Sequence, residues 1–161
     1  MGGEKAGISA VAGGLRLRYG WGVPDLPISP IIHIAAALLV AADGRMLLVR
    51  KRGTSAFMQP GGEIEPDEDA VTALVRELRE ELGVAVHPAQ AVYLGCFEAD
   101  AANEPGHVVR AELFRVALSG AARPDAEIEE MIWVDPGATA GVEFAPLTRD
   151  YVVPMHARGV W

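Results

Sequence analysis

Runs of apolar residues separated by short polar turns predict most of the strands of this chain. The stretch IHIAAALLVA at 32–41 is apolar almost throughout, the turn ADGR follows at 42–45, and MLLVRKR at 46–52 is largely apolar again. Such a pattern is typical of a hairpin of two mostly buried strands. Three further runs predict strands: AVYLGCFEA at 91–99, HVVRAELFRVAL at 107–118 and MIWV at 131–134.

The segment after Pro66 has the periodicity of a helix. At about 100° per residue, five apolar side chains fall on one arc that would face the core. These are Val71, Leu74, Val75, Leu78 and Leu82. The acidic residues at 67–69 suit the first turn of this helix, and Gly83 suits its end.

A second, short helix is predicted near the C-terminus. It lies in FAPLTRDYVVPMHA at 144–157, with Thr148 as its cap and Pro154 limiting its length. Mixed strands combined with two helices indicate an α/β or α+β sandwich.

Length and composition bound the class of protein. With 161 residues, of which 50% are hydrophobic and 22% charged, the chain is expected to form one globular domain with its own core. A net charge of -8 argues against general nucleic-acid binding, which needs clustered Lys and Arg. We find no signal peptide, and no apolar stretch approaches the roughly 20 residues that a membrane-spanning helix needs.

The chain contains one cysteine, Cys96, and therefore cannot form an intrachain disulfide. This cysteine usage favours a cytoplasmic location over a secreted one. We expect the Cys96 side chain to be a small buried group of the core.

Residues 1–30 are expected to form an arm distinct from the domain at 31–161. The arm is rich in Gly and Pro, and only LRLRY at 15–19 alternates like a strand. This strand could pair with the domain or with a second subunit, and a mobile tail is the equal alternative. We predict a homodimer in which the arm helps to cover an edge or site of the partner.

Three glutamates are crowded at the end of the first predicted helix. Glu77, Glu80 and Glu81 stand at i, i+3 and i+4, so they share one face. A solvated acidic face with helix ion pairs is the alternative, but it does not explain why this face lies beside a Pro-Gly-Gly loop. A hard divalent cation does, because Mg²⁺ accepts carboxylate oxygens and completes its shell with water and phosphates. Mg²⁺ is therefore the expected cofactor, and Mn²⁺ is the alternative.

The segment at 60–84 resembles the signature of the Nudix hydrolases. That signature specifies nine positions over 23 residues, and this chain fills all of them. They are Gly62, Glu68, Arg76, Glu77, Leu78, Glu80, Glu81, Gly83 and Val84. The flanking hairpin, later strands and last helix also follow the family's order from about residue 31 to the end.

The resemblance implies a sandwich of helices around a mixed sheet, and it implies roles for several residues. Glu77, Glu80 and Glu81 would bind metal, with the Gly61 carbonyl as a further ligand. Glu80 would also act in catalysis, and Arg76 would orient a carboxylate. A plain salt bridge from Arg76 to Glu80 is the alternative.

A further acid is expected from the loop before the strand that carries Trp133. Glu127 lies six residues before Trp133 and is our candidate for an additional ligand or general base. A solvated acidic loop, which would include Glu129 and Glu130, is the alternative. Trp133 itself is expected to be a core aromatic.

The loop PGGEIEPDE at 60–68 is most similar to the MutT-like branch, which hydrolyses nucleoside triphosphates to the monophosphate and pyrophosphate. Three positions depart from that branch: Glu63 replaces a common Lys, Gln59 replaces an apolar residue, and Thr148 replaces the Asn of guanine-reading members. Selectivity for an oxidised guanine nucleotide is therefore not implied. The alternative functions are hydrolysis of ADP-ribose, nucleotide sugars, dinucleoside polyphosphates or capped RNA, and nucleotide sensing without turnover.

Overall fold

The computed structural model describes residues 28–159. The strands are β1 (Ile31–Val40), β2 (Met46–Lys51), β3 (Gly61–Glu63), β4 (Val92–Asp100), β5 (Val108–Ala117) and β6 (Ile128–Val134). The helices are α1 (Ala70–Leu82) and α2 (Val153–Ala157), with a 3-10 turn at Pro88–Gln90 and a π-helical turn at Thr148–Val152. The strand predicted at 15–19 and the arm that contains it lie outside the described residues, apart from 28–30.

The strands form one mixed sheet in the order β4-β5-β1-β2-β6. β1 pairs in parallel with β5 over its whole length. On its other edge, the first half of β1 pairs with β3, and its last residues pair with β2. β1 is therefore the central strand, and this position explains why its second half is apolar at every residue.

The sheet is covered on both faces, so the predicted sandwich is confirmed. Alternate residues of β1 enter opposite cores: Ala35, Ala37 and Leu39 pack with α1 on one face. Ala36, Leu38 and Val40 belong to the second core, which receives Val152 and Val153 from the C-terminal helical segment. Alternation of side chains along a strand lets this one apolar run supply both layers.

The first predicted helix is confirmed, but it begins later than the sequence suggested. α1 starts at Ala70, and the side chain of Asp69 caps it by accepting from the Thr72 N–H at 2.8 Å. The acidic residues at 67–69 therefore precede the helix instead of lying in its first turn. Gly83 ends the helix as predicted, with φ 64° and its N–H bonded to the carbonyls of Arg79 and Leu78.

The C-terminal helix was predicted with the wrong cap and the wrong end. Thr148 is fully buried and donates its hydroxyl to Gln59 Oε1 at 3.2 Å, so it does not cap a helix. Pro154 lies at the start of α2, directly after the π-helical turn. A proline crowds the preceding turn of a helix, and the wider π turn accommodates it here without ending the helix.

Several smaller predictions are corrected by the structure. β6 begins at Ile128, three residues before the predicted strand, and β3 has no counterpart in the sequence analysis. Cys96 is exposed on the edge strand β4 instead of buried. Trp133 is partly buried against the core as expected. Among residues 28–159, no helix is long and apolar enough to cross a membrane.

Candidate active site

The glycine-rich loop and the end of α1 meet through a backbone hydrogen bond. The Gly61 N–H donates to Glu81 Oε2 at 3.0 Å. Gly61 has φ 144°, and a Cβ there would come within 2.1 Å of the Ala35 carbonyl oxygen. Only glycine can therefore bring this backbone close enough to the sheet and the helix together.

The pairing of β3 with β1 also orients the Gly61 carbonyl. Pro60 accepts from the Ala37 N–H, and the Ile64 N–H donates to His33. In an antiparallel ladder the peptide groups alternate between the two edges. The backbone groups of Gly61 therefore belong to the edge away from β1, where Glu81 lies.

Glu81 is the most deeply buried acid of the signature. It is 1% exposed, whereas the sequence pattern predicts only that it shares one face of the helix with Glu77 and Glu80. Burial raises its pKa to about 7; the bond from Gly61 and the charge of Lys51 oppose this shift, and the charges of Glu127 and Glu77 add to it. Its second oxygen, Oε1, has no hydrogen-bond partner among the described residues.

Lys51 and Glu127 complete a charged cluster with Glu81. The Nζ of Lys51 lies 3.9 Å from Glu81 Oε1 and 3.0 Å from Glu127 Oε1. Burial would lower the pKa of Lys51, but the hydrogen bond to Glu127 and the surrounding carboxylates outweigh it and raise the pKa. The hydrogen bond from Lys51 lowers the pKa of Glu127. The structure thus brings Glu127 to the signature helix.

Backbone contacts explain how the loop before β6 delivers Glu127. The N–H of Asp125 donates to the Glu81 carbonyl at 2.8 Å, and the N–H of Arg123 donates to the Leu82 carbonyl at 3.0 Å. The last carbonyls of a helix have no partner within the helix. The loop therefore caps α1 from outside, and Glu127 follows two residues after the first of these contacts.

Glu77 is held by Arg76 and by Gly62. Arg76 Nη1 donates to Glu77 Oε1 at 2.5 Å. A Cβ on Gly62 would lie 2.5 Å from the Glu77 carboxyl carbon, so the missing side chain makes room for that carboxylate. These two contacts fix Glu77 between the loop and the helix.

The guanidinium of Arg76 is also anchored by Glu68. Its Nε and Nη2 donate to the two Glu68 oxygens at 3.0 and 2.9 Å, and Nη2 reaches the Glu63 carbonyl at 3.0 Å. The distance from Nη1 to Glu80 Oε2 is longer, 3.6 Å. Arg76 therefore contacts the carboxylates of Glu68 and Glu77, and its ion pair to Glu80 is the longest of the three.

Glu80 faces solvent, and the expected ligands are not gathered into one cluster. The Glu80 side chain is 56% exposed. Among residues 28–159, no three His, Cys, Asp or Glu side chains converge closely enough to hold a metal by themselves. The donor set nevertheless fits a hard cation: Glu81 Oε1 lacks a partner, and the ammonium of Lys51 already lies between two carboxylates. Water and phosphate oxygens commonly complete such a shell.

An open cavity of about 150 Å³ adjoins the cluster. Lys51, Gly61, Gly62 and Glu63 border it on the side of the signature helix. The apolar part of its wall is formed by Ile32, Ile34, Ala36, Met58, Val109, Ala145, Pro146 and Leu147. Gln59, Asp100, Asn103 and Glu104 add polar groups to the wall. The cavity therefore offers an apolar surface for the organic part of a ligand and polar groups that can fix its orientation.

Lys51 and Gln59 are site residues that the sequence analysis did not assign. Lys51 reaches the site because β2 pairs with β6 across an irregularity between Arg50 and Lys51, and no local pattern reveals this. Gln59 offered a signal, since it is a polar residue where an apolar one is usual. Phe57 and Phe144 pack against the core, whereas Tyr151 is partly exposed and contacts Phe97.

Comparison with known families identifies the fold and its signature. The NUDIX domain model matches residues 32–152, which is most of the chain. The chain belongs to the Nudix family. The predictions of a Nudix hydrolase and of its sandwich fold are therefore confirmed. Three residues of the Nudix box have structural places: Leu78 and Val84 are buried in the core, and Gly83 ends the helix. Nudix hydrolases act on nucleoside diphosphate derivatives and use divalent cations.

Individual relatives resemble the Nudix domain to different extents. Phosphatase NudJ of Escherichia coli is 40% identical over 58 residues, which cover 35% of this chain and only 38% of NudJ. The MutT protein of Methanosarcina mazei Go1 superposes with a TM-score of 0.68 and 23% identity, covering 81% of this chain and 96% of that one.

A third relative is the bifunctional NMN adenylyltransferase/ADP ribose pyrophosphatase of Francisella tularensis, solved with AMP and a Mn ion. It superposes with a TM-score of 0.61 and 17% identity, covering 83% of this chain and 43% of that one. At these identities, the structural likeness to this enzyme and to the MutT protein establishes the fold.

Proposed function

We propose that this Nudix protein hydrolyses a nucleoside triphosphate to the nucleoside monophosphate and pyrophosphate, with Mg²⁺ as its cofactor. The observation that carries the proposal is the buried Glu81 carboxylate, which accepts from Gly61 at the border of the open cavity and whose Oε1 has no hydrogen-bond partner among residues 28–159. A buried carboxylate oxygen without a hydrogen bond is costly, even with the Lys51 ammonium 3.9 Å away, and a divalent cation would reduce that cost.

The residues that would hold the cation are those of the Nudix box and its loop. Glu81, Glu77 and Glu80 would supply carboxylate oxygens, and the Gly61 carbonyl belongs to the same edge as its N–H. When bound, the cation would neutralise charge on phosphoryl oxygens and lower the pKa of a bound water. Arg76 would keep Glu77 oriented through its contacts with Glu77 and Glu68.

Glu127 would serve as the general base or as a further ligand. Its pKa is lowered by the hydrogen bond from Lys51, so the carboxylate is ionised at neutral pH and can accept a proton from water. The water oxygen would form a new bond to one phosphorus of the diphosphate bridge. The P–O bond between the α and β phosphorus would break. Attack at the α phosphorus would expel pyrophosphate, and attack at the β phosphorus would expel the nucleoside monophosphate; either gives the same two products.

The choice of a triphosphate is supported by the loop at 60–68, which is most similar to the MutT-like branch. Lys51 and the backbone of Gly61 and Gly62 also border the cavity. A compact nucleoside would occupy the apolar part, and the phosphates would extend towards Glu81.

A substrate panel with product identification tests this function. Nucleoside triphosphates, ADP-ribose, nucleotide sugars and dinucleoside polyphosphates should be compared with Mg²⁺ and with Mn²⁺. We expect a triphosphate to have the highest kcat/KM, with pyrophosphate as product, and excess chelator to stop the reaction. A higher kcat/KM for ADP-ribose than for any triphosphate would contradict the proposed substrate. Equal turnover in excess chelator would contradict the proposed metal requirement.

Matched variants link the activity to the site. Glu127→Gln should lower kcat, whereas Glu65→Gln, which changes an exposed acid of the loop at 60–68, should leave kcat within about twofold of the parent. Tight nucleotide binding without any turnover would instead favour a sensing module.

A further inference from the structure

Gln59 carries a buried polar group that the fold itself does not use. The side chain is 5% exposed, its Oε1 accepts from the Thr148 hydroxyl at 3.2 Å, and its Nε2 has no hydrogen-bond partner among residues 28–159. A buried N–H without an acceptor costs roughly 1–3 kcal/mol. Gln59 borders the cavity, so a ligand there can supply the missing acceptor.

The backbone holds Gln59 rigidly at this place. Met58 exchanges two 2.9 Å hydrogen bonds with Val49, and the Pro60 carbonyl accepts from Ala37 at 2.9 Å. The residues on both sides of Gln59 are thus fixed to the central strands. Its backbone position is therefore fixed, and the contact with Thr148 orients its amide.

The segment that carries Thr148 is hydrogen-bonded to the backbone of Phe57, two residues before Gln59. The N–H of Phe57 donates to the Glu143 carbonyl at 2.8 Å, and the N–H of Ala145 donates to the Phe57 carbonyl at 2.9 Å. Thr148 itself is fully buried. The Thr148 hydroxyl therefore occupies the oxygen of the Gln59 amide and leaves the amide's NH₂ group as the only free end.

We propose that Gln59, oriented by Thr148, is a specificity-determining residue that donates a hydrogen bond to an oxo group of the substrate's nucleobase. The proposal rests on the proposed function, because it assigns the apolar part of the cavity to the nucleoside. A fixed donor favours an oxo group and disfavours an amino group at the same ring position, since two donors cannot pair. The wild-type protein should therefore prefer bases with an oxo group over bases with an amino group.

Two substrate pairs isolate this difference. ITP and ATP differ at C6 of the purine by oxo against amino, and UTP and CTP differ in the same way at C4 of the pyrimidine. The ratio of kcat/KM within the pair that is hydrolysed faster is the deciding measurement. We expect the oxo member to be favoured about tenfold or more in the wild type, the size expected from one buried hydrogen bond.

Three variants test the donor. Gln59→Met keeps the volume and removes the NH₂, so the preference should fall to within about twofold. Gln59→Glu replaces the donor with an acceptor and should favour the amino member. Thr148→Val frees the amide to present either end and should also weaken the preference, while a melting curve confirms that each variant is folded.

The outcomes separate the proposal from the function on which it rests. If wild type and Gln59→Met share the same preference while both release pyrophosphate, Gln59 does not read the base and the proposed function stands. A wild-type preference for the amino member also overturns the assignment. If the wild type hydrolyses no triphosphate, the proposed function fails first. If Gln59→Glu does not fold, Gln59→Met is sufficient to decide the test.

Discussion

Replacing Glu81 with Gln should separate the cost of a buried charge from its use in catalysis. In the metal-free protein, burial raises the pKa of Glu81 from 4.5 to about 7. A group whose pKa is raised on folding binds more protons in the folded state than in the unfolded state between these two values. The free energy of unfolding therefore decreases as the pH rises through this window.

The size of the effect follows from the shift. At about 1.36 kcal/mol per pKa unit, the full difference corresponds to about 3 kcal/mol. A range from pH 5.5 to pH 8.5 avoids the isoelectric point near 4.9 and still captures about 2 kcal/mol of it. Glu81→Gln keeps an acceptor for the Gly61 N–H but cannot ionise. Its stability relative to the wild type should therefore increase by about 2 kcal/mol over this range.

Urea unfolding in excess chelator measures the difference at each pH. Glu80→Gln is the matched control, because it removes a carboxylate of the same helix that is 56% exposed and carries no comparable burial cost. Both variants should lose activity, and Glu81→Gln should lose about 10²-fold or more in kcat. A pH-independent difference for Glu81→Gln would refute the burial argument, and turnover within a few-fold of wild type at saturating Mg²⁺ would refute its role as a ligand.

Two further substitutions test the surroundings of Glu81. Gly62→Ala adds a Cβ that would lie 2.5 Å from the flexible carboxyl end of Glu77; kcat should fall about tenfold while stability changes by less than about 1 kcal/mol, and an unchanged kcat would show that the position of Glu77 does not matter. Lys51→Met leaves Glu81 and Glu127 without their cation, so the chelated protein should lose about 1–2 kcal/mol of unfolding free energy. Added Mg²⁺ should restore part of the melting temperature, and the absence of destabilisation in chelator would contradict the ion cluster.

The sequence predicts the fold well for segments that bury at least one of their faces. β1 is the clearest case, because its apolar run reflects contact with two cores. The short strand β3 was missed because its residues, Gly-Gly-Glu, carry no strand pattern. Its existence depends on hydrogen bonds to β1, and the sequence records only the glycine that permits the close approach.

The burial of Glu81 could have been read from the helical wheel. Residues seven apart on a helix are separated by about 20°, so Glu81 lies next to Leu74, at the edge of the apolar arc. Glu80 lies near the opposite side, which agrees with its exposure. The three glutamates were interpreted as one uniform face because they carry the same charge. Their different angles on the helical wheel were not taken into account.

The position of Glu127 depends on a long-range contact that no local pattern records. Glu81 accepts hydrogen bonds through two different groups: its side chain accepts from the Gly61 N–H, and its backbone carbonyl accepts from the Asp125 N–H. One residue near the end of α1 therefore joins the glycine loop to the loop that delivers Glu127. The loop is fixed by main-chain bonds, so it should keep its place when the Glu127 side chain is altered. Loss of activity in Glu127→Gln would then report on the carboxylate itself and not on the loop.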